Sequence, residues 1–333
     1  MVGTSLPPTS LPKATSLTDV LTAPAPLLVS RDEFGELRRD FEDELGTAAR
    51  SLRAGERIRV DAYHLRNSVS GNVDRESPFR WTPWTARRPI GVECVRACLV
   101  NARLTPPQAG HDVIARLIRR ADDERGRPGS LAEWLAGLAV GGRAVVQAEA
   151  VAWATQLLTA LEWSKLSAPI VGVDRSVVLP SSSQVLLRGR IDVRTRVVSP
   201  QPPNDNDARR TLDVAPAVLF AMMTGRPSPT ARTELGLSAL TVALDGRHGD
   251  VPLRVVGWWP QCGRALIVPV DLALLDHTCQ AAVATVRAAC PTRRVQPHSA
   301  KATDDRTGGR DAVTAAARRA AKPVITPAER VAS

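Results

Sequence analysis

Aromatic residues are scarce in this chain: Phe, Trp and Tyr make up 4% of its 333 residues, and only one of them is a tyrosine. Aliphatic side chains must therefore fill most of the interior. Hydrophobic residues nevertheless reach 44%, and a chain of this length and composition buries a sizeable core. The composition thus excludes a largely disordered protein and predicts one large or two modest globular domains.

Long apolar runs and cysteine-rich patterns are also missing. No stretch of about 18 apolar residues occurs, so we expect no transmembrane helix and no membrane partner. The N-terminus lacks the basic flank and apolar segment of a signal peptide, and the five cysteines are too scattered for a disulfide framework. We therefore expect a cytoplasmic protein.

Several common catalytic motifs are absent as well. The sequence contains neither a Walker phosphate-binding loop nor a Gly-x-Gly-x-x-Gly motif, which argues against nucleotide hydrolysis. It has no Gly-x-Ser-x-Gly nucleophile elbow, and its five histidines form no pair spaced for zinc. These absences disfavour serine hydrolases and zinc enzymes.

Basic residues outnumber acidic ones by 44 to 34, which gives a net charge of +10. Such an excess favours a polyanionic partner such as DNA, because Lys and Arg neutralise phosphates and release their counterions. Nine basic and four acidic residues follow position 290, so about half of the excess belongs to the C-terminal tail. An acidic protein partner and simple solubility are the alternatives.

Hydrophobic periodicity separates a helical first half from a strand-rich second half. Apolar residues three and four apart predict helices at 34–54, 89–101, 111–120, 129–138 and 142–165, with a loop at 67–83. Runs of β-branched residues predict strands at 170–179, 184–198, 215–225, 253–259 and 264–270, with helices at 233–244 and 272–289. The chain accordingly divides into a disordered arm at 1–28, a mainly helical region at 29–142, an α/β core at 143–290 and a basic flexible tail at 291–333.

The most informative chemistry lies in two of these predicted strands. Residues 188–192 read Arg-Gly-Arg-Ile-Asp, and residues 221–225 read Ala-Met-Met-Thr-Gly. With the order helix, strand, strand, strand, helix, strand around them, residues 149–270 resemble the PD-(D/E)XK nuclease superfamily, especially its RecB-type modules. The resemblance implies an α/β fold of the restriction-endonuclease-like type, a mixed sheet core flanked by helices, here preceded by a helical N-terminal region. It also implies DNA as the partner.

In that family an acidic residue at the end of one strand and an acid-x-Lys on the next strand hold Mg²⁺ and position the attacking water. Asp192 would be the first ligand. Ala221 and Met223 occupy the positions of the second acid and the lysine, and neither a methyl group nor a thioether binds Mg²⁺. The resemblance therefore implies a nuclease-like scaffold that has lost ordinary cleavage chemistry.

Three other acids are candidates for a displaced catalytic site. Glu234, in the helix after the second motif, and Asp213, near the start of the third strand, could join Asp192 around Mg²⁺. Glu149 resembles an acid that some members of the superfamily contribute from the preceding helix. Each has a plainer interpretation too: Glu149 would lie on a solvated helix face, and Asp192 would pair with an arginine at position 190, 194 or 196.

A basic and aromatic cluster, FRWTPWTARRP, lies further upstream. Its arginines could contact phosphate while its tryptophans stack on an unpaired base. Alternatively, the tryptophans anchor a loop on the core. With two arginines near the strand motifs, the predicted nucleic-acid-binding set is Trp81, Trp84, Arg87, Arg88, Arg190 and Arg226.

The sequence thus predicts a DNA-binding, PD-(D/E)XK-like protein that is catalytically impaired or inactive and acts in DNA repair, recombination or defence. One alternative is a structural subunit that uses the degenerate fold to hold a helicase or nuclease partner. Another is a working DNA nuclease in which Asp192 and displaced acids bind Mg²⁺ as the cofactor.

Overall fold

The computed structural model describes residues 16–53, 55–69, 80–123, 129–197, 215–245 and 251–290, all of which lie in one compact unit. The helices are α1 (Leu17–Thr22), α2 (Arg31–Ala49), α3 (Ala62–Val69), α4 (Pro83–Val100), α5 (Pro106–Asp123), α6 (Leu131–Gly137), α7 (Val140–Ala160), α8 (Ala231–Leu244) and α9 (Leu272–Ala289). The strands are β1 (Ile58–Val60), β2 (Ser167–Val178), β3 (Val185–Arg196), β4 (Ala217–Met222), β5 (Arg254–Trp259) and β6 (Arg264–Pro269).

The six strands form one mixed sheet in which β3 has three partners. On one edge β2 pairs with β3 in antiparallel fashion along most of its length. The other edge is shared, because β1 pairs in parallel with residues 185–187 and β4 pairs antiparallel with residues 193–196. Between these two partners, residues 188–192 of β3 have no strand neighbour on that edge within the described part of the chain, so the sheet splits there.

The far side of the sheet is built from a parallel crossover. Strands β4 and β5 are parallel and are connected through α8, and β6 closes the edge antiparallel to β5. Such a strand, helix, strand unit needs a helix against the sheet between the two strands. The predicted α/β architecture, a mixed sheet flanked by helices, is confirmed in this general form.

Helices cover both faces of the sheet. Phe34, Phe41 and Leu45 of α2 join residues of α8 and α9 in the core on one face, whereas helices α4 to α7 contribute to the core on the other. All six residues of β4 are buried, as expected of a central strand covered on both sides. Helix α8 is buried from Glu234 to Leu244, which explains why it lacks a polar face.

Close packing fixes α4 beside α7. Gly91 of α4 faces Trp153 of α7, and a Cβ atom at this glycine would lie 2.4 Å from Cε3 of that indole. Only a residue without a side chain allows the two helices to approach so closely. The position of α4 matters because its first turns carry residues that reach the split in the sheet.

Two predictions of local structure were wrong. The predicted arm at 1–28 contains α1, whose start is capped by Ser16 and whose Leu21 is fully buried; six residues are too few to show a helical period. Residues 1–15 of the arm and the predicted tail at 291–333 lie outside the described residues. Helix α4 begins at Pro83, not Pro89, because Thr82 caps it and Pro83 is favourable in a first turn.

The predicted loop at 67–83 is helical at both of its ends. Its first residues belong to α3 and its last to α4, while residues 70–79 lie outside the described part of the chain. Asp61 accounts for the start of α3, because its carboxylate accepts hydrogen bonds from the backbone N–H groups of Tyr63 and His64. This cap could have been recognised, since aspartate is among the strongest helix-capping residues.

Candidate functional site

A cavity of about 590 Å³ lies at the split in the sheet. Its walls come from α3, the first turns of α4, the middle of β2 and β3, the end of β4 and the start of α8. Both sequence motifs and the upstream basic and aromatic cluster contribute to this one cavity, although they are far apart in the chain. Its volume lies within the ~300–1,000 Å³ range of protein sites that hold small ligands.

Asp192 lies beneath the cavity with its side chain fully buried. Its Oδ1 atom accepts a hydrogen bond from Nε of Arg88 at 2.6 Å, and its Oδ2 atom accepts one from the backbone N–H of Met222 at 2.6 Å. The second contact joins β3 to the last residue of β4, just beyond the residues through which these two strands pair. Both carboxylate oxygens of Asp192 are thus engaged by donors of the protein.

Arg88 connects three acceptors through one guanidinium. Besides Asp192, it donates to Oδ2 of Asp174 at 2.9 Å and to the backbone carbonyl of Ile191 at 3.0 Å. Burial opposes the charge of Arg88, but Asp192 and Asp174 more than offset this effect and raise the pKa of Arg88. Burial likewise tends to raise the pKa of Asp174, yet its hydrogen bond to Arg88 and the charges of Arg88, Arg188 and Arg190 hold that pKa below its ordinary value.

The cavity has an excess of positive charge. Among the described residues, three carboxylates line it, from Asp61, Asp174 and Glu234, against six arginines: Arg59, Arg66, Arg87, Arg88, Arg188 and Arg190. Even when the buried Asp192 is added as a fourth negative charge, these arginines outnumber the carboxylates. Fixed positive charge inside a concave, partly desolvated surface attracts anions more strongly than the same charge on an open surface.

The arginines differ in how fully they are paired. Arg59 and Arg66 form close ion pairs with Asp61 and Glu234, at 2.6 and 2.7 Å respectively. For Arg188 the nearest carboxylate oxygen, on Asp174, is 3.5 Å away, and for Arg190 the nearest, on Asp192, is 3.8 Å away.

Their position on β3 explains why these last two arginines face the cavity. Arg188, Arg190 and Asp192 alternate along the strand and so share one face of it. Burial, with Arg88 and Arg87 nearby, lowers the pKa of Arg190, although Asp192 acts in the opposite direction. Arg188 and Arg190 thus combine an exposed side chain with the lack of a close carboxylate partner.

Aromatic rings stand beside these charges. Trp84 and Tyr63 line the cavity and are 54% and 59% exposed. The guanidinium carbon of Arg87 lies 3.1 Å from the ring centroid of Trp84, a cation–π contact between residues one helical turn apart. Trp81 lines the cavity too, but its Nε1 donates to the carbonyl of Gly129 and its ring packs against Trp134, so this ring is anchored to the protein.

The candidate acids in the described part of the chain each lie beside an arginine. Glu234 is bound by Arg66 through both carboxylate oxygens and accepts a further hydrogen bond from Thr230. Glu149, on α7, lies 3.9 Å from Arg87. Asp213 lies outside the described residues, and within the described ranges no group of three or more His, Cys, Asp or Glu side chains is placed to hold a metal ion.

The other predicted site residues divide into two groups. Ala221 and Met223 line the cavity, as do all members of the predicted nucleic-acid-binding set except Arg226. Arg226 is exposed just beyond β4 and does not line it. The salt bridge considered for Asp192 does exist, but its closest partner is Arg88, and Arg190 is the more distant one.

Several residues of the site were not anticipated from the sequence. Arg188 could have been found, because it alternates with Arg190 and Asp192 along β3. Asp174 could have been found only with the strand register, which pairs it with Arg190. The remaining residues, Arg59, Asp61, Tyr63 and Arg66, come from β1 and α3, and no pattern in the sequence connects that segment to the strand motifs.

Comparisons with known proteins add no relative to this description. No family model matches the chain, and no curated protein matches it. Within the described residues, no helix is long and apolar enough to cross a membrane.

Proposed function

We propose that the chain binds nucleic acid in this arginine-rich cavity, on a PD-(D/E)XK-like scaffold that no longer holds a catalytic metal. The order α7, β2, β3, β4, α8, β5 supports the finer, restriction-endonuclease-like description of the fold. The hydrogen bond between Asp192 and Met222 supports it further, because it joins the two strands that carry the motifs. A role in DNA repair, recombination or defence stays a prediction.

One observation carries the proposal: a guanidinium, that of Arg88, lies against the carboxylate to which the family resemblance assigns a metal ligand. Mg²⁺ requires several oxygen ligands in near-octahedral geometry. Here the oxygens of Asp192 are occupied by Arg88 and Met222, and Ala221 and Met223 supply no hard ligand. The described residues therefore do not fit a catalytic Mg²⁺, and arginine supplies positive charge in its place.

The arginines and aromatic rings together favour nucleic acid over a simple anion. Guanidinium groups bind phosphate oxygens in a planar, two-pronged geometry. Exposed aromatic rings stack on bases without regard to sequence. A cavity that combines Arg188 and Arg190 with Trp84 offers both kinds of contact at one place.

The proposal is tested by DNA binding as a function of salt. Single-stranded and duplex oligonucleotides are titrated with the full chain from low to moderate salt, and fluorescence anisotropy is recorded. We expect affinity to fall steeply as salt rises. Arg190→Ala should weaken binding and reduce the slope of log K against log salt by about 0.7 to 0.9, the contribution of one phosphate contact.

Arg264→Ala is the matched control, because it removes the same charge from an exposed position of β6 outside the cavity. It should leave the slope nearly unchanged. If no oligonucleotide binds at low salt, the proposal fails and the alternative of a subunit that holds a protein partner gains support. Equal effects of the two variants would place binding elsewhere on the basic surface.

Cleavage is tested separately. Incubation of both kinds of DNA with the chain and Mg²⁺ or Mn²⁺ should leave them intact, because the described site does not fit a metal. Metal-dependent cleavage by the wild-type chain that disappears in a folded Asp192→Asn variant would establish the active-nuclease alternative instead.

A further inference from the structure

Resting on the proposed function, we infer that the cavity takes a single unpaired nucleotide of a strand, whose base stacks on Trp84 and whose phosphate binds Arg188 and Arg190. The inference concerns the class of ligand: single strands, overhangs or frayed ends, in preference to intact duplex. Three observations support it: the volume of the cavity, the exposure of the Trp84 ring, and the distances between the arginines and their nearest carboxylates.

The size of the cavity sets the first limit. A volume of about 590 Å³ suits one small ligand and not a double helix. In an intact duplex each base is paired and stacked on its neighbours, so its face is not available to a side chain. Only a nucleotide that has left the stack, or was never in it, can place its base within these walls.

The Trp84 ring meets the requirements of a stacking platform. It is 54% exposed although it lines a cavity, so a large apolar surface faces the solvent in the absence of a ligand. The guanidinium of Arg87 lies over the ring, 3.1 Å from its centroid, and so gives the ring a packing partner in its own helix. An ordered, exposed ring loses little conformational entropy when a base stacks on it.

Tyr63 is a second exposed ring in the same cavity, and it is the only tyrosine of the chain. Its ring lies edge-on to His64, which belongs to the same helix α3. Two exposed aromatic residues from separate helices thus line one arginine-rich cavity, an arrangement that a purely structural role of the rings does not require.

The phosphate subsite follows from the arginines that are both exposed and without a close carboxylate partner; Arg87 also lacks a close partner, but its side chain is only 12% exposed. Arg188 and Arg190 lie two residues apart on β3, with their nearest carboxylate oxygens at 3.5 and 3.8 Å. Their side chains are each 44% exposed, so both can reach an incoming phosphate. By contrast, the close ion pairs of Arg59, Arg66 and Arg88 would have to break before those residues could bind an anion strongly.

The test compares strands of one length and base composition. A single strand of roughly 12 nucleotides, within the site sizes of such binders, and its blunt duplex are titrated with wild-type chain. We expect the single strand to bind more tightly. Trp84→Ala should weaken single-strand binding roughly 5- to 150-fold, which is the loss of one stacked base, whereas Trp84→Phe should retain most of the affinity because it keeps a ring.

A stacking-sensitive readout separates a binding role of Trp84 from a structural one. A strand that carries a fluorescent adenine analogue, quenched when its base is stacked, should lose emission with wild-type chain and with Trp84→Phe. Saturating Trp84→Ala should not quench it. The melting temperature of each variant verifies folding, and Val140→Ala, at a residue that is 82% exposed outside the cavity, controls for the loss of surface apolar area.

The outcomes are distinguishable. If duplex binds as tightly as single strand and Trp84→Ala has no effect while Arg190→Ala weakens binding, the unpaired-nucleotide inference is wrong but the proposed function survives. If no nucleic acid binds at low salt, the proposed function itself fails. If deoxythymidine monophosphate alone binds as tightly as the oligonucleotide, the ligand is a free nucleotide and the assignment to a strand is overturned.

Discussion

Arg88 donates through Nε to Oδ1 of Asp192 across 2.6 Å, and this contact joins the second turn of α4 to strand β3. The Arg88 side chain is 12% exposed and that of Asp192 is fully buried. A buried charge of this kind is tolerated only when its partner is present, because removal from water costs several kcal/mol per ion. The pair therefore holds the cavity together and supplies a fixed cation within it.

The first prediction concerns the coupling within this pair. Arg88→Ala should lower the free energy of unfolding by about 3–5 kcal/mol, since it leaves the Asp192 carboxylate buried without its cation. The double variant Arg88→Ala, Asp192→Ala should be destabilised by less than the sum of the single variants. Urea denaturation of all three variants gives these values.

A matched control is Arg188→Ala. Arg188 also approaches Asp174, at 3.5 Å, but its side chain is 44% exposed. Because exposed ion pairs contribute about 0–1 kcal/mol, this variant should unfold close to the wild type. Strictly additive effects of Arg88 and Asp192 would contradict the assigned contact.

The sequence and the structure agree best where the interaction is local. Asp192 and the strand that carries it could be predicted, since β-branched residues alternate with polar ones over a short range. The partner of Asp192 could not, because Arg88 precedes Ile191 by 103 residues and Asp192 by 104. The bond between Arg66 and Glu234 spans 168 residues and was equally inaccessible.

The N-terminal half shows the same distinction. The composition of the sequence identifies the cluster of Trp81, Trp84, Arg87 and Arg88. The directions of these side chains, however, depend on the residue at which α4 begins. With Pro89 taken as the start of the helix, these residues belong to a loop. With Pro83 as the start, Trp84, Arg87 and Arg88 lie three and four apart on one helical face, which directs them to the cavity together.

The second prediction concerns the glycine of the first motif. A Cβ atom at Gly189 would lie 1.9 Å from Oγ1 of Thr241 and 3.1 Å from the backbone of Ser238, both on α8. Gly189→Ala should therefore destabilise the fold by about 1–3 kcal/mol through overpacking. The additional change Thr241→Ala should recover part of this loss, because it removes the closest atom.

Thermal unfolding with Gly35→Ala as the control checks this prediction. Gly35 lies within α2 and has nothing within 4 Å of an added Cβ. This control should be neutral or gain up to about 1 kcal/mol, since alanine is the better helix former. A stable Gly189→Ala variant would mean that α8 does not pack as closely on β3 as described.

The third prediction concerns the contribution of Asp174 to the pH dependence of the free energy of unfolding. Its pKa is lowered from the ordinary value of 3.8; burial acts against this shift, but Arg88, Arg188 and Arg190 outweigh it. A carboxyl group whose pKa is lower in the folded state stabilises the fold above its ordinary pKa and loses this effect as the pH falls through the folded value. Asp174→Asn should therefore be less stable than the wild type at pH 7.

This deficit should shrink as the pH falls below about 4. Asp174 is then protonated, first in the unfolded chain and at lower pH in the folded one, and so loses its charge, whereas asparagine has no charge to lose. Urea unfolding of both proteins between neutral and acidic pH measures the difference directly. Asp112→Asn, on the exposed side of α5 outside the cavity, controls for the loss of one negative charge. A deficit that grows on acidification would mean that Asp174 is held in its protonated form, and the arginines around it would then be free to bind an anion without first giving up a carboxylate partner.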